Sequence, residues 1–370
     1  MTPAEDAVRA AIARRGPISI EEVVDFALYH PEGGFYASGG RAGRSGDFLT
    51  SPEVGPLFGA VIARSLDAWW REAGEPPAFA VVEAGAGPGT LARAVLVAEP
   101  SCARALRYVL VERSATQRAL HAERLPLEDA SEAFASMPEL DDDHEGRTAS
   151  MPSGPIVVSL AELPRLPGPT VVLANELLDN LPFGLAERTD AGWAEVRLGL
   201  DGGALVEVLV PMSAPLVSEA LVGARVPLAP AVTRWVRDAI DLAGPGGRVV
   251  AFDYASTSGD LAARPWTEWV RTYRRHERGG APFELLGTQD ITCEVAFDQI
   301  VPRPIVSAQA DWLRRHGIDE LVADGRRVWH ERAAIGDLAA VRARSRIVEA
   351  EALLDPAGLG AFQVLEWPGA

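Results

Sequence analysis

The feature that most constrains the fold of this chain is the glycine-rich stretch at residues 83–89, Glu-Ala-Gly-Ala-Gly-Pro-Gly. The apolar run at 79–82 before it predicts a buried strand, and residues 90–96 after it predict the start of a helix. Alternate glycines allow a sharp turn and let a ligand approach the backbone without any Cβ in the way. The first N–H groups of the helix lack intrahelical partners and would point at that ligand. The stretch predicts a ligand-binding loop, with a plain glycine-rich surface turn as the alternative.

The spacing of these glycines indicates the chemistry of the ligand. A dinucleotide loop follows G-x-G-x-x-G and seats a pyrophosphate on the helix terminus. Here Gly85, Gly87 and Gly89 follow G-x-G-x-G around Ala86, and Glu83 lies two residues before the first glycine. A carboxylate there would repel a pyrophosphate and attract an ammonium group. The loop therefore favours S-adenosylmethionine, a cationic ligand without phosphate, over the NAD of an oxidoreductase.

A second apolar run, residues 107–112, ends in Glu112. In a doubly wound sheet, a carboxylate that closes the second strand reaches the ribose hydroxyls of a bound nucleoside. Glu112 is therefore predicted to bind ribose, and a solvated carboxylate at the strand end is the alternative. Ser114 and Gln117 have the S-x-x-Q spacing of a capping box, which predicts that a helix follows directly.

Composition limits the function classes. The 370 residues suffice for two domains or for one large α/β domain with insertions, and 48% hydrophobic residues exclude general disorder. A net charge of −17 argues against sequence-independent nucleic-acid binding. No apolar run approaches the ~20 residues that span a membrane. Two cysteines are too few for a disulfide framework, and no targeting segment is visible at the N-terminus, so a cytoplasmic location is predicted.

The N-terminal part predicts two capped helices and a long loop. Thr2 is the expected cap of a helix over 3–15, and Ser19 starts a capping box for a helix that reaches about Tyr29. Residues 31–56 are polar and rich in glycine, yet they contain aromatic residues such as Tyr36. Long loops of this kind are usually functional or disordered. The aromatic residues favour an ordered loop that folds over something.

Residues 125–155 form a polar insertion that contains Asp141-Asp142-Asp143-His144-Glu145. Three acids and a histidine could suggest a divalent metal site. The stretch lacks the spacing of an EF-hand, so a solvated loop is the preferred interpretation and no metal site is predicted.

The remaining apolar runs alternate between strands and helices, which is typical of an α/β sheet with its ligand at the carboxyl ends of the strands. Strands are expected at 156–158, 170–174 and 248–253, an antiparallel hairpin at 193–210, helices at about 230–242, near 309–315 and near 337–353, and a last strand near 361–366.

The strand at 170–174 leads into Asn175 and Glu176, with Asp179 three residues further on. Methyl transfer from a sulfonium is an in-line displacement, so positioning of the acceptor is the main requirement. An amide can hold the acceptor atom, and a carboxylate can bind a cationic acceptor or take up its proton. Glu176 and Asp179 together could hold a guanidinium. The alternative is a helix cap at Asn175 with solvent-facing acids.

Several stretches together resemble the MidA-like family of S-adenosylmethionine-dependent methyltransferases, whose mitochondrial members are protein-arginine methyltransferases that support assembly of respiratory complex I. The most specific stretches are Gly46-Asp47-Phe48-Leu49-Thr50-Ser51-Pro52-Glu53 and Asn175-Glu176-Leu177-Leu178-Asp179-Asn180-Leu181-Pro182. Others are Leu28-Tyr29-His30-Pro31, residues 83–91, Val111-Glu112-Arg113-Ser114, Phe252-Asp253-Tyr254, Tyr273-Arg274-Arg275-His276 and Asp290-Ile291-Thr292. Departures from the family pattern are Asn180, the pair Cys293-Glu294 and the Asp-rich insertion near 141, and they are expected near the acceptor side.

The resemblance implies a Rossmann-like class I methyltransferase sheet with helices on both faces. It implies an N-terminal helical and lid region at 1–75, a cofactor-binding core at 76–260, and a lid loop with the C-terminal completion of the sheet at 261–370.

It also implies roles for individual residues. The glycine loop would cradle the methionine part, with Glu83 near its ammonium group and Glu112 on the ribose. Asp47, Asn175, Glu176 and Asp179 would be catalytic, and Thr50, Ser51, Pro52 and Glu53 would help to bind the cofactor.

The implied substrate is a protein arginine. Two alternatives stay open, a methyltransferase for a small-molecule nitrogen or oxygen and a non-catalytic assembly factor that keeps the fold. No nucleic acid or membrane partner is expected, and a homodimer stays open.

Overall fold

The structure is a computed structural model that describes residues 1–37, 50–130, 154–213, 216–274 and 277–369. The chain divides into two compact units, each assembled from three segments. The first unit is Met1–Asp47, Glu176–Asp238 and Asp253–Pro304, and the second unit is Phe48–Asn175, Ala239–Phe252 and Ile305–Ala370. The division predicted at 75/76 and 260/261 refers to sequence segments and stays a prediction.

The α-helices are Pro3–Arg15, Ile20–Tyr29, Ser51–Val54, Pro56–Glu72, Thr90–Val97, Ala115–Ala119, His121–Arg124, Pro230–Ala243, Ser258–Ala262, Trp266–Trp269, Gln309–Arg315, Ile318–Arg332 and Leu338–Leu353. Short 3₁₀ turns are Ser101–Arg104, Leu178–Asn180, Phe297–Gln299 and Leu359–Ala361. Within the ranges given above, no helix has both the length and the apolar character that crossing a membrane requires.

The strands, numbered in chain order, are β1 (Ile18–Ser19), β2 (Phe79–Ala84), β3 (Leu106–Val111), β4 (Ile156–Leu160), β5 (Thr170–Asn175), β6 (Gly184–Thr189), β7 (Gly192–Asp201), β8 (Ala204–Pro211), β9 (Arg225–Leu228), β10 (Arg248–Asp253), β11 (Ala255–Ser256), β12 (Val270–Arg274), β13 (Glu277–Arg278), β14 (Asp290–Cys293), β15 (Val295–Ala296), β16 (Ile305–Ala308) and β17 (Gln363–Pro368).

The second unit is built on one sheet, in which the described strands follow the order β16-β17-β10-β5-β2-β3-β4. Strands β10, β5, β2, β3 and β4 run parallel, and β16 pairs antiparallel with β17. Every residue of β2 and β3 is buried, as expected for a parallel sheet that is covered on both faces. The α/β architecture predicted from the alternating runs is therefore confirmed.

The register of this sheet brings three predicted site segments to one edge. Ala84, the last residue of β2, pairs with Val111 of β3 and with Ala174 of β5. Because the strands are parallel, the glycine loop, Glu112 and Asn175 all follow directly at the carboxyl edge. On the flanking helices, Gly59 leaves no room for a Cβ against Ala94.

The core of the second unit also contains a cluster of aromatic rings. Phe252 makes edge-to-face contacts with Phe58 and with Trp312, at ring-centroid distances of 5.2 Å and 4.9 Å. Trp69 is buried beside Trp312, which agrees with core packing rather than with an interface role for this tryptophan.

The first unit is built on antiparallel pairing. Its main sheet follows the order β1-β7-β6-β9, and β8 pairs with β7. The predicted hairpin around 193–210 is confirmed as β7 and β8, and both Gly202 and Gly203 have positive φ at its turn. Smaller sheets pair β13-β12-β14 and β11-β15 among the described strands.

The N-terminal caps of the first unit are confirmed. The Thr2 hydroxyl accepts the N–H of Glu5, and the Ser19 hydroxyl accepts the N–H of Glu22. The C-terminal region of the second unit differs from the prediction in one element, because the helix Ile318–Arg332 was not expected. It begins after Gly317 without a side-chain cap, and it packs Gly325 close to the carbonyl of Ala343 on the last helix. Packing between two helices, rather than local sequence, fixes this element.

Candidate functional site

The glycine loop joins β2 to the helix Thr90–Val97. Gly85, Gly87 and Gly89 have φ values of 67°, 52° and 79°, the left-handed region that favours glycine. A Cβ built on Gly87 would meet no described atom within 4 Å, whereas one on Gly89 would come within 3.2 Å of Leu110 and Leu125. The loop therefore leaves room for a ligand beside Gly87 and packs tightly at Gly89.

Glu112 holds the glycine loop from the neighbouring strand. Its carboxylate accepts the backbone N–H of Gly87 at 3.0 Å with one oxygen and that of Ser114 at 2.7 Å with the other. Burial raises the pKa of Glu112, and the two N–H donors oppose that rise. Each oxygen keeps a further lone pair, so the carboxylate can also accept ribose hydroxyls.

Glu83 is buried at the end of β2, with 4% of its surface exposed. The hydroxyl of Tyr108 donates to its carboxylate at 2.7 Å. Burial raises the pKa of Glu83 to about 7, and the Tyr108 hydrogen bond acts in the opposite direction. A cation bound nearby would favour the ionised form, so this side chain is suited to respond to an ammonium group.

His121 is a loop-supporting residue that sequence reasoning missed. Its Nε2 lies 2.8 Å from the carbonyl of Gly87, and its Nδ1 lies 2.8 Å from the hydroxyl of Ser159. Because a carbonyl only accepts, Nε2 carries the proton and Nδ1 accepts from Ser159. Burial lowers the pKa of His121, which favours the neutral ring that this pairing requires. No local sequence pattern marks this histidine, because its partners belong to other elements.

The predicted cofactor residues at 50–53 form the start of a short helix. The N–H of Glu53 bonds the carbonyl of Thr50 at 2.8 Å, and Ser51 and Pro52 are buried. The Ser51 hydroxyl is hydrogen-bonded to the side-chain amide of Gln309, at 3.0 Å from Nε2 and 3.2 Å from Oε1. This hydroxyl therefore joins two distant parts of the chain, and a cofactor role for the segment stays a prediction. Asp47 and Phe48 lie outside the described residues, as does the acidic stretch at 141–145.

Asn175 is the last residue of β5, and the chain then enters the first unit at Glu176. Glu176 has a φ of 50°. A residue other than glycine that adopts a left-handed backbone conformation destabilises the fold by on the order of 1–3 kcal/mol, and such strain is common at functional sites. Glu176 precedes the 3₁₀ turn rather than starting a helix, so it does not share a helical face with Asp179.

Asp253 holds the segment that follows Glu176. One of its oxygens accepts the N–H groups of Leu177 and Leu178 at 3.1 Å and 2.7 Å, and the other accepts the N–H of Tyr254 at 2.9 Å. Burial, with the charge of Glu176, raises the pKa of Asp253 to about 7, and the backbone donors oppose this. The segment after Glu176 is thus fixed by a buried carboxyl from the Phe252-Asp253-Tyr254 stretch, and this supporting role was not predicted from the sequence.

Asp179 lies in the 3₁₀ turn with 6% of its surface exposed. Its Oδ1 has no hydrogen-bond partner among the described residues. Burial raises the pKa of Asp179 well above its usual value, as do the charges of Asp253 and Asp290, whereas the charge of Arg271 and a backbone hydrogen bond oppose the rise. The surroundings of this carboxyl therefore favour its protonated form more than water does.

Asp290 completes the group of buried acids in the first unit. Its carboxylate accepts hydrogen bonds from the Tyr36 hydroxyl at 3.1 Å, the Asn180 side-chain amide at 3.3 Å and the backbone N–H of Ile291 at 3.0 Å. Burial raises the pKa of Asp290 to about 6. Asn180, one of the departures from the family pattern, thus supports a carboxyl near Asp179. Among the described residues, no group of acids, histidines and cysteines has the arrangement of a metal site.

A glycine loop after one parallel strand and an acid at the end of the next define a nucleoside-binding α/β protein. The family described as putative S-adenosyl-L-methionine-dependent methyltransferases has a model that matches residues 61–313. The chain belongs to this family.

Relatives agree with this assignment. A crystal structure of a protein from Burkholderia thailandensis, bound to S-adenosyl-homocysteine, matches 99% of this chain and 91% of its own, with 27% identity and a TM-score of 0.74. The protein arginine methyltransferase NDUFAF7 homologue of Drosophila melanogaster is 34% identical over 52% of this chain and 43% of its own length. The mouse protein arginine methyltransferase NDUFAF7 is 31% identical over 55% and 48%.

These matches confirm the predicted family, the Rossmann-like methyltransferase fold and S-adenosylmethionine as the cofactor. The matched region covers less than half of each of the two curated relatives. Both relatives are named as mitochondrial proteins, so the predicted cytoplasmic location was wrong as judged by these relatives.

Proposed function

We propose that this protein transfers a methyl group from S-adenosylmethionine to the guanidinium of a protein arginine. The observation that carries the proposal is the glycine loop, whose Gly87 is bonded to Glu112 and lies beside room for a ligand. The choice of arginine rests on the names of the curated relatives and on the two acids that follow Asn175, the half-buried Glu176 and the buried Asp179.

The residues of the second unit fit the cofactor. Gly87 leaves space for the methionine part, the carboxyl of Glu83 suits its ammonium group, and Glu112 retains lone pairs for the ribose hydroxyls. His121 keeps the loop carbonyl of Gly87 oriented away from the ligand by bonding it. When bound, S-adenosylmethionine supplies a methyl group on a positively charged sulfur.

The acceptor side is assigned to Asn175, Glu176 and Asp179. The Asn175 amide would orient the acceptor nitrogen, and the carboxylate of Glu176 would balance the charge of a guanidinium. When the new N–C bond forms and the S–C bond breaks, the electron pair stays on sulfur. The nitrogen then loses a proton, which a carboxylate of this group would take up. In-line positioning supplies most of the rate.

The experiment is methyl transfer into proteins. The purified chain is incubated with labelled S-adenosylmethionine and a protein extract from hypomethylated cells, and the proteins are hydrolysed to amino acids. We expect label in methylarginine, and none above background with a Glu112→Gln variant. Glu123→Gln, an exposed acid on the helix His121–Arg124, is the matched control and should transfer normally. Label in another amino acid or only in small molecules would overturn the arginine assignment. Cofactor binding without any transfer would favour the non-catalytic alternative.

A further inference from the structure

The buried acids of the first unit differ in the hydrogen bonds that their carboxyl oxygens accept. We call Asp179, Asp253 and Asp290 the acid cluster. Asp253 accepts three backbone N–H groups, and Asp290 accepts two side-chain donors and one N–H group. Both oxygens of Asp253 are used in this way, whereas the three donors to Asp290 all meet its Oδ1.

Asp179 is the exception in the acid cluster. Only 6% of its surface is exposed, and its Oδ1 has no hydrogen-bond partner in the described part of the chain. A buried polar atom without a partner is costly, and in native structures such atoms usually have a functional or structural reason. An acid kept here at a cost to stability indicates a ligand that supplies the missing donor.

The charged groups around Asp179 indicate the sign of the charge on that ligand. The described charged and titratable groups that interact with it are Tyr36, Asp253, Tyr254, Arg271, Asp290 and Cys293. Arg271 is the cation of this set, against the carboxyls of the acid cluster. The surroundings can therefore be neutralised either by protons on the carboxyls or by a positively charged ligand.

Two tyrosines favour a planar cation over a compact one. The rings of Tyr29 and Tyr36 are stacked, with centroids 5.5 Å apart. Both hydroxyls are fixed, since Tyr36 donates to Asp290 and Tyr29 donates to the carbonyl of Asn180 at 3.0 Å. Fixed aromatic rings beside a carboxyl suit a guanidinium, which stacks on rings and donates in a fork.

We infer that Asp179 binds the acceptor as a planar cation through its free oxygen, and that Tyr36, Asn180 and Asp290 position it. This inference rests on the proposed function, because it identifies the group that receives the methyl. Binding forms an ion pair between the Asp179 carboxylate and the guanidinium, and this ion pair favours the ionised form of Asp179 against the burial that raises its pKa. The acceptor is thereby recognised through its charge.

The test is calorimetric titration of the whole chain with acetyl-arginine-amide at about pH 7, in two buffers of different ionisation enthalpy. We expect binding to release protons, because the ion pair lowers the raised pKa of Asp179. The uncharged analogue acetyl-citrulline-amide should not bind. Asp179→Asn should weaken acetyl-arginine-amide binding about tenfold to a hundredfold and remove the proton release. Asp190→Asn, an exposed acid of the same unit, is the matched control and should behave as the unaltered protein.

Each sample is also titrated with S-adenosyl-homocysteine, which reports whether the variant is folded. Equal binding of the arginine and citrulline compounds would overturn the inference, as would undetectable arginine binding in the unaltered protein. Full arginine binding in Asp179→Asn would overturn it too. These results leave the proposed function intact if S-adenosyl-homocysteine still binds and methylarginine is formed. Failure of the unaltered protein to bind S-adenosyl-homocysteine would instead overturn the proposed function.

Discussion

Glu112, which is half-buried, and Asp179, which is buried, are both acids in predicted site segments, yet the structure uses them differently. Both oxygens of Glu112 accept backbone N–H groups, so the carboxylate organises the glycine loop before any ligand arrives. Asp179 has an oxygen without a partner among the described residues, in surroundings crowded by other acids. In the proposed function, the cofactor side would therefore be preorganised by its own backbone, whereas the acceptor side would be completed by a ligand.

The comparison is tested most strongly at Glu112. We expect Glu112→Gln to weaken S-adenosyl-homocysteine binding about 100-fold, on the order of 3 kcal/mol. The amide keeps one acceptor, but its NH₂ group would face a backbone N–H and could not accept from ribose. Calorimetric titration measures the change, with Glu123→Gln as control. A loss below about threefold would mean that Glu112 does not organise a cofactor site.

At Asp179 we expect the substitution to stabilise the fold, whereas Glu112→Gln is expected to weaken ligand binding. Asp179→Asn should raise the free energy of unfolding at pH 8 and leave it nearly unchanged at pH 4. The reason is linkage: the raised pKa means that the unfolded state gives up the proton more readily than the folded state, so the acid costs stability as pH rises. Urea unfolding at the two pH values measures this, with Asp190→Asn as control. Destabilisation at pH 8 would show that Asp179 serves the fold.

Glu83 lies between these two cases, since it has one fixed donor and a raised pKa. Its pKa of about 7 in the folded protein lies above the usual 4.5, so its contribution to stability falls as pH rises from about 4.5 to 7 and is constant above that. Glu83→Gln keeps an acceptor for Tyr108 and removes the titration. We expect it to reduce the loss of stability between pH 5 and pH 8 by about 2 kcal/mol. An unchanged pH dependence in urea unfolding would contradict the raised pKa.

The smallest expected effect is at Tyr36, which supports the acceptor side indirectly. Tyr36→Phe removes the hydroxyl that donates to Asp290 but keeps the ring. We expect about fivefold weaker binding of acetyl-arginine-amide, roughly 1 kcal/mol, and no change for S-adenosyl-homocysteine. Parallel titrations of the two ligands measure this. A loss that is equal for both would mean that the tyrosine supports the whole fold rather than the acceptor side.

The sequence predicted those parts of the site in which residues near in the chain act together. The glycine loop, the acid that ends β3 and the capped helices depend on spacings of a few residues, and the structure contains each of them. The Asn175-Glu176 pair was also placed at the end of a central strand, as the structure has it. The acceptor role of this pair stays a prediction.

The remaining features were not predictable because their partners are far apart in the chain. Tyr36 meets Asp290, Ser51 meets Gln309, and His121 meets Gly87 and Ser159 through the fold rather than through any local pattern. The helix Ile318–Arg332 likewise depends on packing against the last helix.

The sequence by itself determined that the chain forms a parallel sheet with a nucleoside loop, because strand and helix periods and glycine spacing are local properties. Only the tertiary structure decided which acids accept hydrogen bonds and which has an oxygen without a partner among the residues that the structure describes. Burial and hydrogen-bond partners depend on contacts between distant segments, and these contacts set the pKa of each carboxyl and hence its chemistry.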